Sequence, residues 1–133
     1  KKNIDTGMGL ERTLVVLQDV KSVYETDLFK PLIQKAMELS GKEWGIDPDT
    51  TRALSIVAEH GRSASFLIGD GVIPGNTGRG YVLRRLIRRG MLFGRQLGLK
   101  GPFLPEIAGT ASEVMGEAYP ELVRNGPFIR SVL

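Results

Sequence analysis

Apolar residues recur along this chain at helical spacing and alternate with polar ones nowhere for long, so the pattern predicts helices and almost no strand. Leu10, Leu14 and Leu17, with Val15 and Val16, give a short helix. Leu28, Phe29, Leu32, Ile33, Ala36 and Met37 mark an amphipathic helix over Asp27–Leu39, and Gly41 is a natural stop. Asp47-Pro48 reads as an N-cap followed by proline at the first helical position. A long helix follows, with Leu54, Val57, Ala64 and Ile68 on one stripe, and Gly69-Asp70-Gly71 ends it. Residues 69–78 form a glycine-rich loop containing Pro74 and Asn76. The next helix runs from about Arg79 to Leu97 and is closed by Gly98 and Gly101-Pro102. Leu104–Met115 and Tyr119–Leu133 read as further helices, the last interrupted near Gly126-Pro127. The expected fold is all-α: a bundle of about five to six helices, preceded by a short extended stub at Lys1–Gly7 that Gly7-Met8-Gly9 breaks.

Composition adds little to this picture. With 133 residues, 41% hydrophobic and 25% charged, the chain suits one compact domain, or one domain carrying a piece of another. Both ends read as cuts in a longer polypeptide. The absence of cysteine excludes a disulfide framework and any thiolate metal site, and fits a reducing compartment. No apolar run approaches the roughly 18 residues of a membrane span, and Lys1–Asp5 carry no apolar stretch of the signal-peptide kind. His60 is the only histidine, so a zinc site is not expected; packing within the long helix is the simpler reading, and Trp44 is expected to anchor a connector.

Charge changes the picture through its distribution rather than through the net +3. In Tyr81-Val82-Leu83-Arg84-Arg85-Leu86-Ile87-Arg88-Arg89, an advance of about 100° per residue places Val82, Leu83, Leu86 and Ile87 within an arc of roughly 140°. Arg84, Arg85, Arg88 and Arg89 take the opposite arc. Like charges at i,i+4 repel by a few tenths of a kcal/mol. No acid occurs between Asp70 and Glu106, while Arg79, Arg95 and Lys100 extend the basic zone. A polyanion or an acidic partner surface relieves that repulsion; the plain alternative is a solvated helix whose arginines pair with carboxylates of neighbouring helices, inner ones such as Arg84 or Arg89 being structural.

The loop before this helix has the glycines of a phosphate cradle but lacks the Gly-Lys-Ser/Thr ending, and it follows a helix rather than a strand. A connector is the better reading. Asn76 still places a donor and an acceptor at a loop tip beside the basic helix, and Thr77 can cap that helix. Loop and helix together suit reading a base edge while gripping a backbone. At the front, Asn3–Arg12 reads as strand, turn and helix: the two glycines allow close approach of a flat ligand, Arg12 can reach a phosphate, and Asp5 can take an ammonium group.

Asp5-Thr6-Gly7-Met8-Gly9-Leu10-Glu11-Arg12 resembles the third signature motif of the alanine–tRNA ligases, a family of class II aminoacyl-tRNA synthetases. Arg62–Asn76 and Arg79–Arg89 resemble the same family, in order and spacing, so the resemblance spans nearly the whole chain. It implies a division into residues 1–22, the C-terminal edge of the catalytic core, and residues 23–133, an incomplete acceptor-stem recognition domain. It implies a soluble cytoplasmic ligase that activates alanine with ATP and magnesium and charges tRNA(Ala). Arg12 would contact ATP phosphate as the catalytic residue, Asp5 would hold the alanine amino group, and Gly7 and Gly9 would lie against the alanine and ATP pocket. Asn76 would read the G:U wobble pair of the acceptor stem, and Arg79, Arg84, Arg85, Arg88 and Arg89 would hold the backbone. A-form RNA presents its base edges in a wide, shallow minor groove. The wobble guanine has a free amino group there, which an asparagine carbonyl can accept. Glu59-His60 stands where the family usually has Asp-His, and Gly75 where serine is usual. The first two class II motifs, the editing domain and a later wobble-pair contact do not occur in these residues, so the isolated chain is expected to be inactive. The rival readings are a protein-interaction module docking through its basic helix, and a purely structural bridge.

Overall fold

The computed structural model describes residues 2–133; Lys1, part of the expected stub, lies outside the described residues. Among these residues there is no strand. Residues 2–9 are irregular and exposed rather than laddered, since no neighbouring strand is present to accept their backbone bonds. Seven helices follow: α1 Leu10–Leu17, α2 Lys30–Ser40, α3 Pro48–Gly69, α4 Gly78–Gln96, α5 Leu104–Met115, α6 Pro120–Arg124 and α7 Gly126–Val132, with a 3-10 turn at Val23–Glu25. The count exceeds the expected five to six because the last stretch, expected as one interrupted helix, is split in two at Asn125.

The helix boundaries have local causes. Asp47 caps α3 by accepting the Thr50 amide at 2.8 Å, with Pro48 at the first position. Gly41 ends α2 in the left-handed conformation at φ 65°. Leu28 and Phe29 precede α2 rather than belonging to it. Thr77 occupies the cap position of α4, but its side chain makes no capping bond there. Gly78 takes φ +56° between Thr77 and the helix body, so the chain enters α4 on a path that right-handed capping geometry does not provide.

The long helix α3 is the spine, packing against α4, α5, α2 and the short α6 and α7. One core gathers Leu32, Leu54, Val57, Phe103, Leu104 and Ile107 between α2, α3 and α5; a second gathers Ile68, Leu83, Leu122 and Ile129 under the C-terminal end of α3. Trp44 anchors the connector after α2 by donating from Nε1 to Ser55 Oγ at 3.2 Å.

Two buried glycines set how closely α4 lies. A Cβ on Gly94 would stand 2.0 Å from Phe103 Cζ, and one on Gly90 3.3 Å from Leu104 Cδ2. The core-facing sector of α4 therefore runs through Leu83, Gly90, Gly94 and Leu97. That corrects the expected apolar arc: Leu83 is fully buried and Ile87 partly so, but Val82 is 52% exposed.

Candidate nucleic-acid interface

Residues 70–77 form a tight, tied-down loop. The Gly71 and Val72 amides bond back to the Ile68 and Leu67 carbonyls, both at 2.9 Å, closing the end of α3 with Gly71 at φ 85°. Asn125 Nδ2 donates to the Gly69 carbonyl at 3.0 Å, fastening that end to the α6–α7 junction. On its far side, the Gly75 amide donates to the Gly80 carbonyl at 3.0 Å. A Cβ on Gly80 would sit 2.6 Å from the Ile73 carbonyl oxygen, so the first turn of α4 accepts the loop only because residue 80 is glycine.

This arrangement leaves Asn76 exposed at the loop tip. Its Oδ1 accepts a hydrogen bond from Arg84 Nη1, about two α4 turns beyond the loop. Arg79, Arg84, Arg85, Arg88 and Arg89 are all exposed, and among the described residues none of them pairs with a carboxylate. Solvent-facing arginines without acidic partners are not what a self-compensated surface helix presents. Two of them rest on aromatic rings: Arg85 lies 5.8 Å from the Tyr81 ring centroid and Arg89 lies 5.7 Å from that of Phe93.

The sequence reading missed two members of this surface. Arg52 on α3 also lies 5.7 Å from the Phe93 ring, so it joins the α4 arginines through an aromatic side chain 41 positions later in the chain. Only folding brings those turns together, and no spacing rule signals it. Tyr81 was placed on α4 but not on the surface; it is 47% exposed, and with Leu92 it interleaves apolar surface among the arginines. An open groove of about 880 Å³ runs along this face, lined by Tyr81, Val82, Arg85, Leu86 and Leu92.

The front residues form a separate group. Asp5, Gly7, Gly9 and Arg12 are all exposed, and no hydrogen bond or ion pair among the described residues connects them with the α4 face. Arg12 pairs with no carboxylate among the described residues, and its side chain folds back along Gly9, where a Cβ would stand 3.7 Å from Arg12 Cδ. Nothing lies within 4 Å of the Cβ position at Gly7. The guanidinium thus suits an anionic phosphate, while the surface beside the glycines is open.

Next to this group, Glu11 Oε1 accepts from Arg62 Nη1 at 2.6 Å, and the hydrogen bond from Arg62 holds the Glu11 carboxyl below its ordinary value. On α3, His60 is buried and bonds through Nδ1 to the Glu59 carboxylate, as packing rather than exposure predicts; its Nε2 is buried without a partner. That bond is the main cause lowering the Glu59 carboxyl, with Ser63 Oγ donating to the other oxygen at 3.0 Å.

The family model described as tRNA synthetases class II (A) matches residues 1–133. The chain belongs to that family. Curated relatives within it include the alanine–tRNA ligases of Dehalococcoides mccartyi and Desulfosudis oleivorans, 54% and 56% identical over 131 residues, or 98% of this chain. That of Geobacillus thermodenitrificans is 46% identical over all 133 residues. The chain spans 15% of the length of each of these class II synthetases. No helix of the described residues is long and apolar enough to cross a membrane, and no group of three or more His, Asp or Glu residues stands ready to hold a metal ion.

Proposed function

We propose that this chain is the part of an alanine–tRNA ligase that reads the acceptor stem of tRNA(Ala) beside one edge of the amino-acid-activating site. The carrying observation is Asn76, exposed at a tethered loop tip and hydrogen-bonded to Arg84 on a helix face of arginines without acidic partners. In this reading Asn76 contacts the wobble pair in the minor groove, and Arg79, Arg84, Arg85, Arg88 and Arg89 grip the flanking phosphates. Arg84 uses one lone pair of the Asn76 carbonyl, and the second remains for the free guanine amino group.

Residues 1–22 would be the edge of the catalytic core, and residues 23–133 the recognition domain. ATP with magnesium would supply the phosphoanhydride that activates the alanine carboxylate in the whole ligase. Arg12 would neutralise phosphate charge there, Asp5 would hold the alanine ammonium group, and Gly7 and Gly9 would leave room for the substrates. The open surface around these residues fits one wall of a site whose other walls lie elsewhere in the ligase, so this chain alone is expected to be inactive.

Titration of the chain with acceptor-stem RNA hairpins carrying G:U or G:C tests the reading. Tighter binding of the G:U hairpin, with log affinity falling against log salt at a slope near −3 to −4 if about four phosphates are neutralised, is the expected result. Equal affinity for the two hairpins, or an affinity indifferent to salt, contradicts it.

A further inference from the structure

The placement of α1 is unusual for a helix next to a proposed substrate site: it buries no residue at all. Leu10, Val16 and Leu17 are 50%, 78% and 74% exposed. Leu14 and Val15 are only partly buried where α1 packs on the Val23–Glu25 turn, so packing by itself holds the rotation of α1 weakly. Two side-chain ties add to it. At its C-terminal end Gln18 Oε1 accepts the Asp27 amide at 3.0 Å. At its N-terminal end Glu11 is held by Arg62, across 51 positions of sequence.

Arg62 is itself held rigidly. Its guanidinium lies 4.4 Å from the ring centroid of Phe29, a residue only 2% exposed, and the Tyr24 ring braces Phe29 edge-on with centroids 5.4 Å apart. The Arg62 side chain is 16% exposed. It is thus an anchored cation on the long helix α3, rather than a mobile surface group.

Glu11 and Arg12 are neighbours on α1, about 100° apart around its axis. Turning Glu11 in toward Arg62 therefore sets the direction in which Arg12 projects, and Arg12 projects into the open without a partner. We infer that Arg62 is a positioning residue for Arg12: by clamping Glu11 it fixes the rotation of α1, and so aims the phosphate-contacting guanidinium. The inference rests on the proposed ATP contact of Arg12. It gives Arg62 no contact with substrate.

The test uses the full-length ligase that carries this chain. ATP dissociation constants are measured by calorimetry, and alanine-dependent pyrophosphate exchange gives KM and kcat. Arg62→Met and Glu11→Ala are each expected to weaken ATP binding and raise KM for ATP about tenfold, the scale of one charged hydrogen bond made poorly. The melting temperature of Glu11→Ala in the full-length ligase should fall only slightly, because one partly exposed ion pair is a small part of the stability of the whole protein. The double variant should be no worse than either single variant, because both remove the same clamp. Arg62→Lys, which keeps the charge but not the planar fork, should recover part of the loss.

A role confined to stability would lower the melting temperature and the active fraction while leaving KM for ATP alone; that outcome overturns the inference. Additive losses in the double variant overturn it too, as does Glu11→Ala binding ATP like the wild type. If the wild type binds ATP but exchanges no pyrophosphate with alanine, the proposed function fails, and the ATP constants of the variants still decide the inference. A wild type that binds no ATP overturns both.

Discussion

Arg84 donates a hydrogen bond to the side-chain carbonyl of Asn76, fixing which way the amide at the loop tip faces. Without it, the amide of an exposed asparagine is free to rotate and to present donor and acceptor interchangeably. Arg84→Met is therefore expected to reduce the preference for G:U over G:C, although Arg84 touches no base in the proposed arrangement. A loss approaching that of Asn76→Ala, on the order of 1–3 kcal/mol for one well-made base contact, should appear when variant chains are titrated with the two hairpins. An Arg84→Met chain that weakens both hairpins equally would show Arg84 to be a phosphate contact only.

Arg85 and Arg88 point into solvent without acidic partners and stand for the other class of contact. Replacing both with alanine should weaken binding to G:U and G:C hairpins alike and make the salt slope shallower by about 2, one unit per phosphate released. The measurement is the slope itself, over at least two salt concentrations. A slope unchanged in the double variant removes these arginines from the interface.

Gly94 lies where α4 meets Phe103. A Cβ there would stand 2.0 Å from a ring that is 3% exposed and has no room to withdraw. Gly94→Ala is expected to destabilise the chain by roughly 1–3 kcal/mol despite the better helix propensity of alanine. Urea denaturation followed by circular dichroism measures it. A midpoint at or above that of the wild type contradicts the close approach of α4.

The Glu11 carboxyl is held below its ordinary value by the hydrogen bond from Arg62. A carboxyl whose folded value is lowered contributes stability that is complete above its unfolded value and is lost as pH falls through the folded one. Between about pH 5 and pH 3 the urea midpoint of the wild type should fall more than that of Glu11→Gln, which has no such proton to take up. The Glu59 carboxyl is lowered in the same direction by its bond to His60 and remains in both proteins, so it does not affect the difference. Parallel pH profiles would mean that the Glu11–Arg62 pair contributes nothing to folding.

What the sequence determined by itself is local. The Asp47 cap, the stop at Gly41, the extents of α3 and α5 and the glycine-rich loop before a basic helix all depend on residues within a turn or two of one another, where helical periodicity and capping chemistry act. The resemblance to the alanine–tRNA ligases was likewise legible, because it is carried by continuous runs of residues. Only the tertiary structure decided which side of α4 meets the core. The hydrophobic pattern pointed to Val82, Leu83, Leu86 and Ile87; Leu83 is buried as expected and Ile87 partly so, but Val82 is exposed, and the seat is completed by Gly90, Gly94 and Leu97, with Phe103 and Leu104 from across the interface filling the space the glycines leave. A glycine has no side chain to mark a buried position, so a reading by hydrophobicity is blind to it. The same limit hid Arg52 beside the α4 arginines and Arg62 beside Glu11, since their partners are 41 and 51 positions away, a separation that packing closes and that no spacing along the chain records.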